Sequence, residues 1–350
     1  MECDSFNSKY TDLLGSWAKE NRVPLTVNFE LTPFCNFSCV MCYVRLDKKS
    51  AEVQGRMLTA DEWLDIAAQA KAMGTLNLAL TGGEPLTHPD FWYIYSRLNK
   101  MGFLLSILTN GSLIDEAVIE KFRMYGMPYR VKITLYGASD ETYLRTCGSH
   151  DGFTKVSKAI DLFKAEGVPL TLTSTVVHEN ADDLQAMYRF AAEKGLRLQH
   201  TVSVLKSSRG SVNSVASSRF ALSDFPDELS LEQLEHSKFP PLASPFAWCA
   251  SKDVSFWMTW HGHMQLCAFM CKPYIKYSGD VSHDYERMLS LLDDIKSPLE
   301  CSNCEWADFC QRCPGILCAE SSDPEKTEKD LCDMAKRLYE IYLTKKGEKV

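Results

Sequence analysis

No apolar run in the 350-residue chain approaches the roughly 20 residues that span a bilayer. The opening residues, MECDSFNSKYTDLL, lack the basic-then-apolar pattern of a secretory signal. Both absences exclude a membrane as a partner and predict a cytoplasmic protein. Positive charge is scarce too: 38 Lys and Arg stand against 46 Asp and Glu, a net charge of −8, with no basic run longer than a pair. A face that tracks a nucleic-acid backbone needs a basic excess, so nucleic acid is not an expected partner. No internal repeat of fixed period appears beyond an alternation of strand and helix patterns. The hydrophobic share, 45%, suffices to bury a large core, and the length allows one large domain with a smaller one.

Cysteine, by contrast, is abundant. There are 14, and a reducing compartment argues against a disulfide framework. They are also clustered. Cys35, Cys39 and Cys42 form one group, nine more lie from Cys249 to Cys332, and only Cys3 and Cys147 stand apart. Such clustering in a cytosolic chain points to metal or iron–sulfur ligation.

Strand patterns are expected over 25–32, 75–81, 104–111, 130–137, 169–177 and 196–205. Helices are expected over 8–20, 59–74, 90–102, 114–126, 152–167 and 181–195; the second opens on a capping box, Thr59 to Glu62, and closes on Gly74. Six β–α units in series imply a parallel sheet with helical crossovers. Strands rich in Leu, Val, Ile and Thr predict a sheet buried on both faces. The Ser-rich stretch 206–220 reads as a loop or linker, and 230–236 as a helical turn. From Cys249 little regular structure is expected before a final helix over 325–343, except a β-hairpin at 256–267 turning at His261–Gly262–His263. The organisation is therefore an extension (1–24), a β–α unit (25–235) and a cysteine-rich unit (236–350).

The first cysteine group has the spacing C-x3-C-x2-C. Three thiolates hold three irons of a [4Fe–4S] cube and leave the fourth open to an outside ligand; the competing reading is a zinc site completed from elsewhere. The next strand ends in Gly82–Gly83–Glu84. Glycines let the backbone approach a ligand closely, and a carboxylate accepts hydrogen bonds from an ammonium group. Strand C-terminal ends form the active face of a β–α barrel, which puts the two motifs side by side.

Together these motifs resemble the radical S-adenosylmethionine (SAM) enzymes. The resemblance implies an α/β fold, a partial (β/α)6 TIM-like barrel. It also implies a [4Fe–4S] cluster on Cys35, Cys39 and Cys42, with SAM chelating the open iron through its methionine amine and carboxylate. In that family the reduced cluster splits SAM to a 5′-deoxyadenosyl radical, which abstracts a hydrogen atom. Gly82, Gly83 and Glu84 would hold the methionine amine, and Tyr43 would share with Met41 the packing against adenine. Further candidates on this face are Thr109 and Asn110, which end strand three, Thr134 and Ser139 within reach of a ribose, Arg145 for the methionine carboxylate, and Thr175. Each taken singly also reads as a capping or surface residue. Cys147, after strand four, is either a hydrogen-atom donor or an incidental buried thiol.

The later cysteines run Cys249, then Gly262-x4-Cys267, then Cys301-x2-Cys304-x5-Cys310-x2-Cys313, Cys318 and Cys332. Zinc ribbons use such pairs too, but the arrangement is similar to the SPASM extension, which carries up to two auxiliary [4Fe–4S] clusters. The resemblance implies one cluster on Cys301, Cys304, Cys310 and Cys332, and another on Cys249, Cys267 and Cys313. The family gap before the fourth cysteine of this run is three residues, against two here, which leaves Cys313 or Cys318 open; Cys271 is a spare thiol. Enzymes of this type mostly act on peptides or proteins. The expected activity is therefore an oxidoreductase-type maturase that installs a thioether or carbon–carbon cross-link in a ribosomally made peptide. Alternatives are a formylglycine-forming sulfatase maturase or a peptide epimerase, and, of another class, an iron–sulfur electron-transfer protein. Expected partners are the peptide or protein substrate and an electron donor such as flavodoxin or ferredoxin. Only 34 residues precede Cys35, so leader binding is expected to fall to a separate protein or to the main body.

Overall fold

The computed structural model describes residues 12–206, 209, 218–220, 244–247, 249–310 and 312–346. Most of the Ser-rich stretch, the turn expected at 230–236 and the start of the helix expected at 8–20 lie outside the described residues.

Residues 12–20 form α1. Strand β1 (Thr26–Glu30) leads through the three-cysteine loop into α2 (Lys48–Gln54) and α3 (Ala60–Ala72). There follow β2 (Asn77–Thr81), α4 (Phe91–Lys100), β3 (Leu104–Thr109), α5 (Glu116–Tyr125), β4 (Arg130–Thr134), α6 (Asp140–Cys147), α7 (Gly152–Ala165), β5 (Leu170–Thr175), α8 (Leu184–Glu193) and β6 (Leu198–Thr201). All six strands are parallel, each beside its neighbour in sequence. Beyond them come β7 (Ser255–Met258), β8 (His263–Gln265), β9 (Ile275–Lys276), α9 (Val281–Asp293), α10 (Pro314–Ser321) and α11 (Lys329–Lys346). The hairpin does not stand alone. Strand β7 pairs parallel to β1, with β8 and β9 antiparallel outside it, so one nine-stranded sheet runs through the chain. Its turn is Thr259–Gly262, closed by the Gly262 N–H donating to the Thr259 carbonyl at 3.0 Å, and His263 already belongs to β8.

Strands β2 and β7 are buried on both faces, but β1, β3, β4 and β5 are not, and this corrects the reading of the sheet's composition. Alternate residues (Val27 and Phe29, Leu78 and Leu80, Leu105 and Ile107, Val131 and Ile133) join one apolar core with Trp63 and Ile66 of α3, Ile94 of α4, Phe122 of α5 and Phe163 of α7. The residues between them on β1, β3, β4 and β5, among them Asn28, Ser106, Lys132, Thr134, Thr171, Thr173 and Thr175, are only half-buried. A period of two decides this: one face packs on helices and the other is a polar concave surface.

Helix α3 forms as expected. Thr59 accepts from the Glu62 N–H and Glu62 returns the bond to the Thr59 N–H at 2.8 Å, while Trp63, Ile66, Ala67 and Ala70 make its buried stripe. Four helices were not anticipated: α2, α6, α9 and α10. Helix α6 lies between β4 and α7, capped by Ser139 and closed by Gly148 at φ 69°. Helix α9 opens on Asp280, which accepts from the His283 N–H at 2.9 Å, and buries Tyr285, Met288, Leu289 and Leu292.

Candidate iron–sulfur and SAM site

The three-cysteine loop leaves the C-terminal end of β1 and lies directly on the end of β2. The Gly83 N–H donates to the Thr32 carbonyl at 2.7 Å, and the Glu84 N–H to the Phe34 carbonyl at 2.9 Å. A Cβ at Gly82 would stand 2.5 Å from the Thr32 oxygen, and one at Gly83 would stand 2.2 Å from the Phe34 oxygen and 3.1 Å from the Cys35 Cβ. The two glycines thus serve the approach of the cysteine loop itself.

Glu84 is fully buried. Its carboxylate accepts from the Thr109 hydroxyl at 2.9 Å, the Asn110 N–H at 2.8 Å and the Leu86 N–H at 3.2 Å. Burial pushes its pKa up to about 7, and the donors from Asn110, Thr109 and Leu86 oppose that rise. The Asn110 amide nitrogen in turn reaches the Cys35 sulfur at 3.7 Å and the Asn36 Oδ1 at 2.9 Å, and Asn36 donates to Ser112 at 2.8 Å. One network therefore joins the ends of β1, β2 and β3. Of the predicted residues it brings together Cys35, Gly82, Gly83, Glu84, Thr109 and Asn110. Asn36 and Ser112 were missed, since lone polar residues in loops carry no spacing signal.

The remaining cysteines of the loop lie close by. Cys35 accepts from the Phe37 N–H at 3.4 Å, and Cys42 from the Arg45 N–H at 3.2 Å. Burial, with the neighbouring thiols adding to it, pushes Cys35 up to about 12 and Cys42 to about 11. Cys39 is raised well above its ordinary value, first by the adjoining Cys147 thiol and then by burial. Cys147 ends α6 and is itself buried, donating to the Tyr143 carbonyl at 3.2 Å; its own carbonyl accepts from the Ser38 N–H at 2.9 Å. That surrounding matches the buried-thiol reading. Ser139 caps α6, and the exposed Arg145 donates to the Glu179 carbonyl at 2.7 Å, so neither joins the network around Glu84. Tyr43 packs on Phe269 with ring centroids 5.2 Å apart. Burial raises its phenol, and nearby Glu30, Cys42 and Cys267 add to the rise, so Tyr43 lies near both cysteine regions.

The C-terminal cysteines fall into three sets. Cys267 feels Cys313 and Cys249, and Gly315 sits where a Cβ would be 3.2 Å from the Cys267 sulfur and 3.8 Å from that of Cys313. Cys310 feels Cys332, Cys301 and Cys304. Cys271 and Cys318 pair with each other, sulfur to sulfur at 2.9 Å. Among the described residues no three Cys, His, Asp or Glu converge as ligands of a single ion do. A cube spreads its thiolates over separate irons. Mutually repelling, buried thiols that accept backbone N–H donors suit such a cationic centre, because ligation keeps them deprotonated and their N–H bonds tune the metal.

Other polar residues of this sheet region escaped the sequence reading. Glu30, at the end of β1, is buried and meets Arg209 at 2.9 Å and the Trp257 indole N–H at 2.9 Å. Lys132 lies on the concave face, where burial lowers its pKa.

Residues 29–191 match the Radical SAM superfamily model. AdoMet-dependent heme synthase of Methanosarcina barkeri is 28% identical over 187 residues, covering 53% of this chain and 52% of its own. PqqA peptide cyclase of Granulibacter bethesdensis is 29% identical over 172 residues, covering 49% and 45%. The chain spans about half the length of the curated relatives it matches. The crystal structure of Streptococcus suis SuiB bound to precursor peptide SuiA shares the fold: TM-score 0.66 at 15% identity, covering 93% of this chain and 81% of that one.

Proposed function

We propose that the protein is a radical SAM peptide maturase. Cys35, Cys39 and Cys42 hold a [4Fe–4S] cluster with one iron left to SAM. The observation that carries this reading is the locking of Gly82–Gly83–Glu84 onto the cysteine loop by the Glu84–Thr109–Asn110–Cys35 network. When bound, the cluster and SAM supply a carbon radical that takes a hydrogen atom from the substrate. The chain's own part is to position and shield: the network holds Cys35 and Glu84 in one register, and the concave face offers polar contacts to a substrate. Tyr43, Ser139 and Arg145 remain proposed SAM contacts, and their present partners make them the weaker ones.

The cysteines from 249 onward are proposed to hold two auxiliary clusters, on Cys301, Cys304, Cys310 and Cys332 and on Cys249, Cys267 and Cys313. When bound, such clusters would supply an acceptor for the electron left after hydrogen abstraction. The two groupings found electrostatically support this division. The radical-forming unit is assigned to 25–235 and the auxiliary unit to 236–350, working in the cytoplasm with a flavodoxin or ferredoxin as electron donor. A peptide substrate is supported by the names of two similar proteins, one a PqqA peptide cyclase and one solved with a precursor peptide. The proposed product is a thioether or carbon–carbon cross-link.

The test is anaerobic reconstitution, reduction and addition of SAM, with peptides encoded beside this gene as substrates. Release of 5′-deoxyadenosine, and a peptide lighter by a hydrogen pair, are expected. An iron-replete protein that releases no 5′-deoxyadenosine overturns the reading. Turnover of a tetrapyrrole and of no peptide would place the activity nearer the heme synthase.

A further inference from the structure

Cys271 and Cys318 belong to neither proposed auxiliary set, yet they face each other. Their sulfurs are 2.9 Å apart and both are free thiols. Cys318 sits in α10 and is 1% exposed. Cys271, in the loop after β8, is half-buried and lines a cavity of about 280 Å³ with Gln54, Arg209, Thr259, His261 and Tyr274. We propose that this pair is a thiol–disulfide exchange site: Cys271 is the attacking thiolate, Cys318 the resolving thiol, and the substrate a small disulfide entering the cavity.

The asymmetry of the pair supports these roles. An attacking thiol has to be reachable and charged, whereas a resolving thiol needs only to touch it. The Cys318 hydrogen bond, with Arg209 and Lys272 nearby, brings Cys271 down to about 6 although burial opposes it; Cys318 is pushed far up by the same bond and by burial. Arg209 also meets Glu30, which offsets part of its field. Two histidines on the cavity wall, His261 and His263, have their pKa lowered by burial.

In the first step the Cys271 sulfur attacks one sulfur of R–S–S–R. The Cys271–S–S–R bond forms, the original S–S bond breaks, and RS⁻ leaves. In the second step the Cys318 sulfur attacks the Cys271 sulfur and expels the second RS⁻. The protons follow the leaving thiolates. Two protein thiols and one small disulfide thus give one protein disulfide and two small thiols, the entering disulfide being the oxidant.

The test uses the anaerobically reconstituted full chain and glutathione disulfide, followed by thiol blocking and fragment-ion mass spectrometry. A Cys271–Cys318 link with no retained glutathione is expected. Cys318→Ser should trap one glutathione on Cys271, and Cys271→Ser should give neither link nor trapped adduct. Before oxidation, Cys271 should alkylate about tenfold faster than Cys318. Both variants should keep the wild-type iron content. Loss of about four irons in either one would make that cysteine a cluster ligand and overturn the proposal. So would iron-replete wild-type protein that forms no link, or equal alkylation rates at the two thiols.

Discussion

Gly83 owes its identity to one carbonyl oxygen. Any side chain there meets the Phe34 oxygen at 2.2 Å, and backbone cannot step aside without moving Cys35. Gly83→Ala is therefore expected to lose about four irons per chain on reconstitution, one cluster's worth, with matching loss of 5′-deoxyadenosine release. Iron assay and product chromatography on the same sample check it; full iron retention would mean the loop adapts. Glu84 carries two separable properties. Glu84→Ala leaves the Asn110 N–H and Thr109 hydroxyl without their acceptor in a buried place, and should cost about 2–4 kcal/mol. Glu84→Gln keeps an acceptor and should recover part of that stability while SAM binding stays weak, since an amide carries no charge to meet an ammonium. Denaturation midpoints and equilibrium dialysis separate the two; parallel recovery of both would leave Glu84 with a purely structural role.

At the scale of elements, the β7–β8 turn carries a pH dependence. Burial lowers His261 from 6.5 to about 3 and His263 to about 4. Above pH 6.5 neither the folded nor the unfolded chain protonates these rings, and their contribution is whole. As pH falls from 6.5 toward about 4, only the unfolded chain takes up the protons, so stability is lost. A His261→Asn, His263→Asn protein should show a shallower fall in its denaturation midpoint between pH 6.5 and 5; equal slopes would sink the assignment. How far elements were legible depended on the kind of signal. The Thr59–Glu62 box and the 63, 66, 67, 70 stripe announced α3, because caps and periodicity are local. The polar concave face is equally present, in the alternation of Asn28 with Phe29 and of Lys132 with Ile133, but the high apolar content of the strands masks that period. Helix α6 is only two turns long, and its cap, Ser139, fits a ribose contact as readily as a helix start, so nothing local singles the helix out. The Glu84–Thr109–Asn110 lock depends on how three strand ends meet, which no spacing within one segment records.

The molecule as a whole is closed by pairings between distant parts. Glu30, Arg209 and Trp257 tie β1, the chain beyond β6, and β7 together in the interior. Arg209→Met would leave Glu30 as a buried, uncompensated charge, and a loss of about 3–5 kcal/mol is expected. Glu30→Gln combined with Arg209→Met should recover most of it, because glutamine still accepts the Trp257 indole N–H. Chemical denaturation of the three proteins provides the comparison, and additive losses would show that the charge pair is not the cause. The β1–β7 pairing has a further consequence, which concerns synthesis. Trp257 and its partner Glu30 are 227 positions apart, so a nascent chain carries the apolar β1 long before β7 exists to cover its edge. An open parallel edge templates pairing with other chains, and such long-range closure is slow. Expression of residues 1–250 alone is thus expected to yield aggregate, and the intact chain to need shelter from chaperones until its last third emerges from the ribosome.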